Sequence, residues 1–165
     1  MREGRPQSGA ALPVSVLPHQ DALPIGHCLE RLFAADPAMA FDVFVLANGC
    51  TDRTEAIVAD YAARRPAVHL VSIGLGDKCN AWNVFVHETV AAAAPAREVY
   101  FFMDGDARAA SGSFSAMLRA LREQPRAQAA SAAPGGWSNR RPDAHEIARA
   151  HRLVAYHHGL RGAFD

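Results

Sequence analysis

"EVYFFMDGDARAAS", residues 98–111, is the stretch on which the reading of this chain turns. Val99 to Met103 are all apolar or aromatic, a run that reads as a strand buried on both faces. It ends in Asp104-Gly105-Asp106. In an extended backbone, residues two apart point to the same side, roughly 6.5–7 Å from each other, so both carboxylates would face one cleft. Gly105 would let another group come close and would permit unusual dihedrals. Two carboxylates leaving a buried strand repel each other unless something positive lies between them. A hard divalent cation, which takes oxygen ligands, meets that need. The competing reading is a turn with solvated aspartates, because Asp-Gly is an ordinary turn dipeptide.

Outward from this stretch the pattern alternates. "PVSVL" (13–17), "FDVFVLA" (41–47), "AVHLVSI" (67–73) and "EVYFFM" (98–103) read as strands. Between them lie helical patterns at 25–36, 51–65 and 78–94, and another follows at 113–123. Thr51 or Asp52 is placed to cap the second helix, with Glu55 in its first turn. The third carries Trp82, Phe85, Val86, Thr89 and Val90 on one side and stops at Pro95. "AQAASAA" (127–133) is a weak fifth strand; the loop "PGGWSNRRPD" (134–143) follows, then a final helix from Ala144. Strands alternating with helices of this length predict an α/β fold, with a parallel sheet covered on both faces. In such a sheet ligands sit at the carboxyl ends of the strands. That rule singles out "ANGCTD" (47–52), "GLGDKCN" (74–80) and "DGDA" (104–107).

The composition narrows the function classes. The 165 residues fit one domain, 50% of them hydrophobic and 21% charged, which is globular composition. Seventeen basic residues balance seventeen acidic ones, so nucleic acid is not expected as a partner. Eight arginines against four acids from Arg119 onward leave room for a peripheral contact with a membrane surface. Cys28, Cys50 and Cys79 form no paired framework, and cytoplasmic surroundings fit best. There is no apolar run long enough to span a bilayer.

Several motifs can be set aside. "GLGDKCN" opens like a dinucleotide fingerprint, but Cys79 stands where a third glycine belongs and the third strand precedes it. What remains is a Gly loop ending in Lys78, a point charge suited to phosphate. "HEIARAH" (145–151) is too long for the HExxH zinc motif, and no GxSxG elbow occurs. Cys50 has no identified base beside it and reads as a loop thiol.

In their order, these segments resemble the nucleotide-binding half of family 2 glycosyltransferases, which have the GT-A fold. "VSVLPHQD" (14–21) is similar to that family's opening "VSVVIPAyNE", shortened by about one residue, with Asp21 near the family's acid. "LANGCTDRT" (46–54) resembles "vvDnGSTDgT", "DKCNAWNVFV" (77–86) resembles "GKgnALNaGl", and "MDGDA" (103–107) is the DxD after a hydrophobic strand. The resemblance implies a three-layer α/β/α sandwich with a mostly parallel sheet, incomplete at the C-terminus. Residues 1–12 would be a flexible N-terminus, 13–133 the nucleotide-sugar-binding domain, and 134–165 a loop and helix beginning a truncated acceptor half.

The resemblance also implies roles. Pro18, Asp21, Asn48 and Asp52 would line the nucleoside pocket. Lys78 and Asn83 would sit by the nucleotide-sugar, Asp104 by the ribose or metal-bound diphosphate, and Asp106 with Asp104 would hold Mn2+ or Mg2+. The implied activity is transfer of a sugar from a nucleotide-diphosphate-sugar to the hydroxyl of a carbohydrate, lipid or protein acceptor, with inversion, in the cytoplasm or at the inner face of the membrane. Ala47 stands where the family often has aspartate. No residue reads as the catalytic base; Asp143, Glu146 and Asp165 match no motif. The alternatives are a non-catalytic nucleotide-sugar-binding module, a Mg2+-dependent phosphatase and a nucleotidyltransferase.

Overall fold

Four parallel strands carry the molecule's core: β1 (Leu12–Leu17), β2 (Phe41–Asn48), β3 (Val68–Ile73) and β4 (Val99–Asp104). The computed structural model describes residues 11–92, 98–124 and 126–132, and the backbone of 153–157. Helix α1 (Ile25–Ala35) joins β1 to β2, and α2 (Thr54–Arg64) joins β2 to β3. A composite helix follows β3, with α3 (Lys78–Asn83), a π-helical turn (Val84–Thr89) and α4 (Val90–Ala92). After β4 come α5 (Ser113–Glu123), β5 (Ala129–Ser131) and β6 (Leu153–His157). The sheet order is β3-β2-β1-β4-β6-β5.

The alternation of side chains across each strand builds two cores. Val14, Val16, Val43, Val45, Phe101 and Met103 point to one face, where α1, α2 and α5 cover them. Leu17, Phe44, Leu46, Ile73 and Phe102 point to the other and meet Ala81, Phe85 and Val90 of the composite helix. That is a three-layer α/β/α sandwich. Phe85 is fully buried and meets Phe102 and Tyr100 edge-on, with centroids at 5.2 and 6.3 Å. Burying one such side chain contributes about 1.5–3 kcal/mol. Asp36, just past α1, accepts from the Phe114 and Ser115 amides at 3.0 and 3.4 Å and so caps α5 from a distant part of the chain. No described helix is long and apolar enough to cross a membrane.

Three expectations need correction. The third helix is not a single α-helix over its described residues, 78–92, and its expected stop at Pro95 lies outside them. It widens by one residue, with the Thr89 hydroxyl donating to Val84 O, so that Val90 instead of Thr89 falls one turn beyond Phe85, while Val86, expected on the same side, is exposed. The second helix begins at Thr54, not Thr51, because Asp52 turns its carboxylate onto the Thr54 amide. The C-terminal segment contains a strand where a helix was expected. Leu153–His157 pairs antiparallel with β4, Phe101 opposite Ala155, and covers what would otherwise be a bare sheet edge. The rest of 134–165, with Asp143, Glu146 and Asp165, lies outside the described residues, as do residues 1–10.

The order places β1 in the centre, with β2 and β3 on one side and β4 on the other. The chain therefore reverses its direction of travel between β1 and β4, and a crevice opens outside their carboxyl ends.

Candidate functional site

Strand register brings four loops level at one edge. Leu17 pairs with Asp104 and Asn48 with Ile73, so the segments after these residues leave the sheet together. They are stitched to one another. Pro18 O accepts from the Asn48 amide at 3.1 Å and from Cys50 Sγ at 3.6 Å. The Gly49 amide donates to Ile73 O at 2.8 Å. Gly49 has φ 62, and a Cβ there would meet Gly76 Cα at 2.6 Å, so both conformation and space require glycine.

The β1–α1 loop is clamped to the β2–α2 loop. Gln20, itself at φ 57, accepts from the Thr51 and Asp52 amides at 3.1 Å each and donates to Thr51 Oγ1 at 2.8 Å. Asp52 accepts from the Ala22 amide at 3.0 Å and from the Thr54 amide at 3.0 Å. The Thr54 hydroxyl, then desolvation in the opposite sense, are the main influences on Asp52, whose pKa is lowered overall. His19 Nδ1 lies 2.7 Å from Asn48 O. A carbonyl oxygen only accepts, so Nδ1 carries the proton. His19 and Gln20 lie inside the segment "VSVLPHQD", and nothing in the sequence assigns either a role. A left-handed glutamine has no sequence signature.

On the β4 side, the backbone is not extended through Asp106. The Ala107 amide donates to Asp104 O at 3.1 Å, so residues 104–107 turn. The expectation that both carboxylates project from one extended strand is replaced by a strand-end Asp104 and an exposed Asp106 on a turn. Gly105 is buried, and a Cβ on it would meet Pro18 Cα, Pro18 Cβ and Asp21 Oδ2 at 2.6 Å each. Close approach, not a positive φ, is what this glycine provides.

Charge concentrates here. Burial, opposed by the His19 amide and reinforced by Asp106, Asp104 and Asp52, raises the Asp21 pKa above its ordinary value. Lys78 Nζ donates to Asp104 Oδ1. Cys28, in α1, donates its thiol to Asp104 O at 3.7 Å; burial first, then Asp106, Asp21 and Asp104, push its pKa up to about 12, so it stays a neutral donor. Asn48 is buried, and its Oδ1 has no hydrogen-bond partner among the described residues. Pro18, Asp21, Asn48, Asp52, Lys78, Asp104 and Asp106 thus share one edge. Asn83 does not join them: it is exposed at the far end of α3 and makes no hydrogen bond to these loops among the described residues.

The donors at this edge limit how a metal could be held. Among the described residues no three His, Cys, Asp or Glu side chains converge on a point, so there is no protein cage. Asp104 and Asp106 offer hard oxygen donors, suited to an ion that takes one or two carboxylates and completes its shell with phosphate oxygens and water.

The sandwich and its switch between β1 and β4 are those of the GT-A fold. The chain belongs to glycosyl transferase family 2, whose family model matches residues 19–160. No curated protein matches it in sequence. Among solved structures it is similar to the mannosyltransferase PcManGT from Pyrobaculum calidifontis in complex with GDP-Man and Mn2+, at 19% identity and TM-score 0.65, covering 94% of this chain and 49% of that one. It is also similar to S. aureus TarS 1-349 in complex with UDP-GlcNAc, at 17% identity and TM-score 0.54, covering 80% of this chain and 37% of that one. A third is glucosyl-3-phosphoglycerate synthase from Mycobacterium tuberculosis in complex with UDP, at 17% identity and TM-score 0.53, covering 89% of this chain and 57% of that one. The chain spans 37–57% of the length of these three.

Proposed function

We propose that this chain is the donor-binding part of a glycosyltransferase that moves a sugar from a nucleoside-diphosphate-sugar to an acceptor hydroxyl, with Mn2+ or Mg2+ at Asp104 and Asp106 and with inversion at the anomeric carbon. One observation carries the reading. Lys78 at the start of α3 and Asp104 at the end of β4 meet at the switch-point crevice, so an ammonium suited to phosphate lies beside a carboxylate suited to a metal. Family membership and a neighbour solved with GDP-Man and Mn2+ support it.

The parts divide as follows. The loop at Pro18–Asp21 and the loop at Asn48–Asp52 receive the nucleoside, with Asn48 Oδ1 offering a buried acceptor to a base N–H. Lys78 donates to a phosphate oxygen. A bound divalent ion would neutralise charge building on the departing diphosphate. In the transfer, a bond forms between the acceptor oxygen and the anomeric carbon while the bond from that carbon to the phosphate oxygen breaks. The acceptor's proton passes to a general base. No described residue is assigned as that base.

The test is a thermal-shift series with UDP- and GDP-sugars, with Mn2+ or with EDTA, followed by transfer of radiolabelled sugar to an acceptor panel. A shift that appears only with the metal is expected. Equal shifts in EDTA would remove the metal from the reading, and no shift with any donor would remove the reading itself.

A further inference from the structure

The ion pair between Lys78 and Asp104 joins two groups that the donor-site reading assigns to different partners, the lysine to phosphate and the carboxylate to a metal. In the structure they are paired with each other. Resting on that reading, we propose that Lys78 is a displaceable latch on Asp104. The ammonium and a divalent cation compete for this carboxylate, and a nucleoside diphosphate ends the competition by drawing Lys78 onto its own phosphate oxygens.

The placement supports a movable lysine and a fixed carboxylate. Asp104 is the last residue of β4, hydrogen-bonded in register to β1, and its side chain is 23% exposed. Lys78 is the first residue of α3, follows the loop Gly74-Leu75-Gly76, and its side chain is 59% exposed. Its compact charge sits on a flexible four-carbon stem with three donors, so it can leave one oxygen for another at little cost. A small divalent ion must approach its carboxylate oxygen to about 2.0–2.1 Å for Mg2+, and an ammonium already on that carboxylate repels it.

The surroundings make the exchange a coupled one. Asp21, Asp52, Asp104 and Asp106 lie close enough together that the last two and Asp52 all act on the charge of Asp21. A diphosphate entering alone meets that negative field, and a metal entering alone meets the latch. Together they satisfy both, since the metal takes Asp104 and the phosphates take Lys78. Coupling of this kind is reciprocal, with nucleotide tightening metal by the factor by which metal tightens nucleotide.

The test is a Mn2+ titration of the 165-residue chain followed by electron paramagnetic resonance, in which free Mn2+ gives the sharp signal, alone and with UDP or GDP. Wild type, Lys78→Met, Lys78→Arg and Asp104→Asn are compared, after equal melting temperatures show that the exposed Lys78 sites fold alike. Wild type is expected to bind Mn2+ weakly alone and on the order of 5–150-fold more tightly with a nucleotide that fits. Lys78→Met is expected to bind Mn2+ alone several-fold more tightly than wild type and to lose most of the nucleotide effect, while Lys78→Arg stays near wild type. If Lys78→Met binds Mn2+ alone no better than wild type, while Asp104→Asn abolishes binding, the metal site stands and the latch is refuted. Absence of Mn2+ binding in every protein, with either nucleotide, overturns the metal site and the latch with it.

Discussion

Gly105 and Pro18 are in contact so close that no side chain fits between them: a Cβ on Gly105 would lie 2.6 Å from Pro18 Cα. The contact joins the carboxyl ends of β4 and β1, the two strands between which the crevice opens. Gly105→Ala must push these loops apart. A loss of about 1–3 kcal/mol is expected from such overpacking, measured by urea denaturation. Donor binding should fall with it, because Pro18 and Asp21 move together. An alanine variant as stable as wild type would show that the crevice walls yield freely.

Asp106 tests the metal without disturbing the fold, since it is exposed on the turn after β4. Asp106→Asn should leave the ligand-free chain as stable as wild type or slightly more stable, through relief of repulsion with Asp21. It should remove the metal-dependent part of the donor thermal shift. A ligand at a hundred times its Kd stabilises by about 2.7 kcal/mol, so the loss is readily seen. An unfolded variant would mean that Asp106 is structural.

Asp21 gives a pH signature. Burial first, then the neighbouring carboxylates, raise its folded pKa above the ordinary 3.8. The native chain therefore holds this proton more tightly than the unfolded chain. The associated stability is complete below the unfolded pKa and is lost as pH rises through the folded one. Asp21→Asn keeps an acceptor for the His19 amide and cannot ionise. Its midpoint in urea should exceed that of wild type at pH 7, with the gap closing as pH falls toward 3.8. A gap that is constant with pH would assign the effect to something other than ionisation.

Asp36→Ala removes the acceptor at the start of α5. A cap of this kind contributes about 0.5–2 kcal/mol, and the thermal midpoint should fall accordingly. Asp36→Asn retains an oxygen and should recover most of the loss. Equal losses in both variants would point to charge instead of the hydrogen bond.

Strand and helix order was legible because apolar runs such as Val43 to Leu46 and Val99 to Met103 match strands buried on both faces, with capping and glycine residues between them. The carboxyl-edge rule then gathered Asn48, Lys78 and Asp104 without any distance being known, and the family resemblance added Pro18. Three things were not legible. Asp-Gly suits a turn as well as a strand end, and the close packing of Gly105 on Pro18 and Asp21 is a tertiary contact that sequence does not display. The Lys78–Asp104 pair depends on a crossover that spans the breadth of the parallel strands. The strand at Leu153–His157 reads equally as helix until the open edge of β4 is there to receive it.

The wide turn over the sheet means that this helix holds one residue more than its contacts require. Ala81 and Phe85 are buried four positions apart, but Phe85 and Val90 are five apart. Deleting a residue from an ordinary helix rotates everything beyond it by about 100° and pulls buried groups off their partners. Here, loss of the exposed Val86 or His87 would instead restore a spacing of four and leave Ala81, Phe85 and Val90 all facing the sheet. Chain length can therefore change at Val84–Thr89 while the residues on either side keep their places, so relatives one residue shorter here could superpose on this helix with their core unchanged.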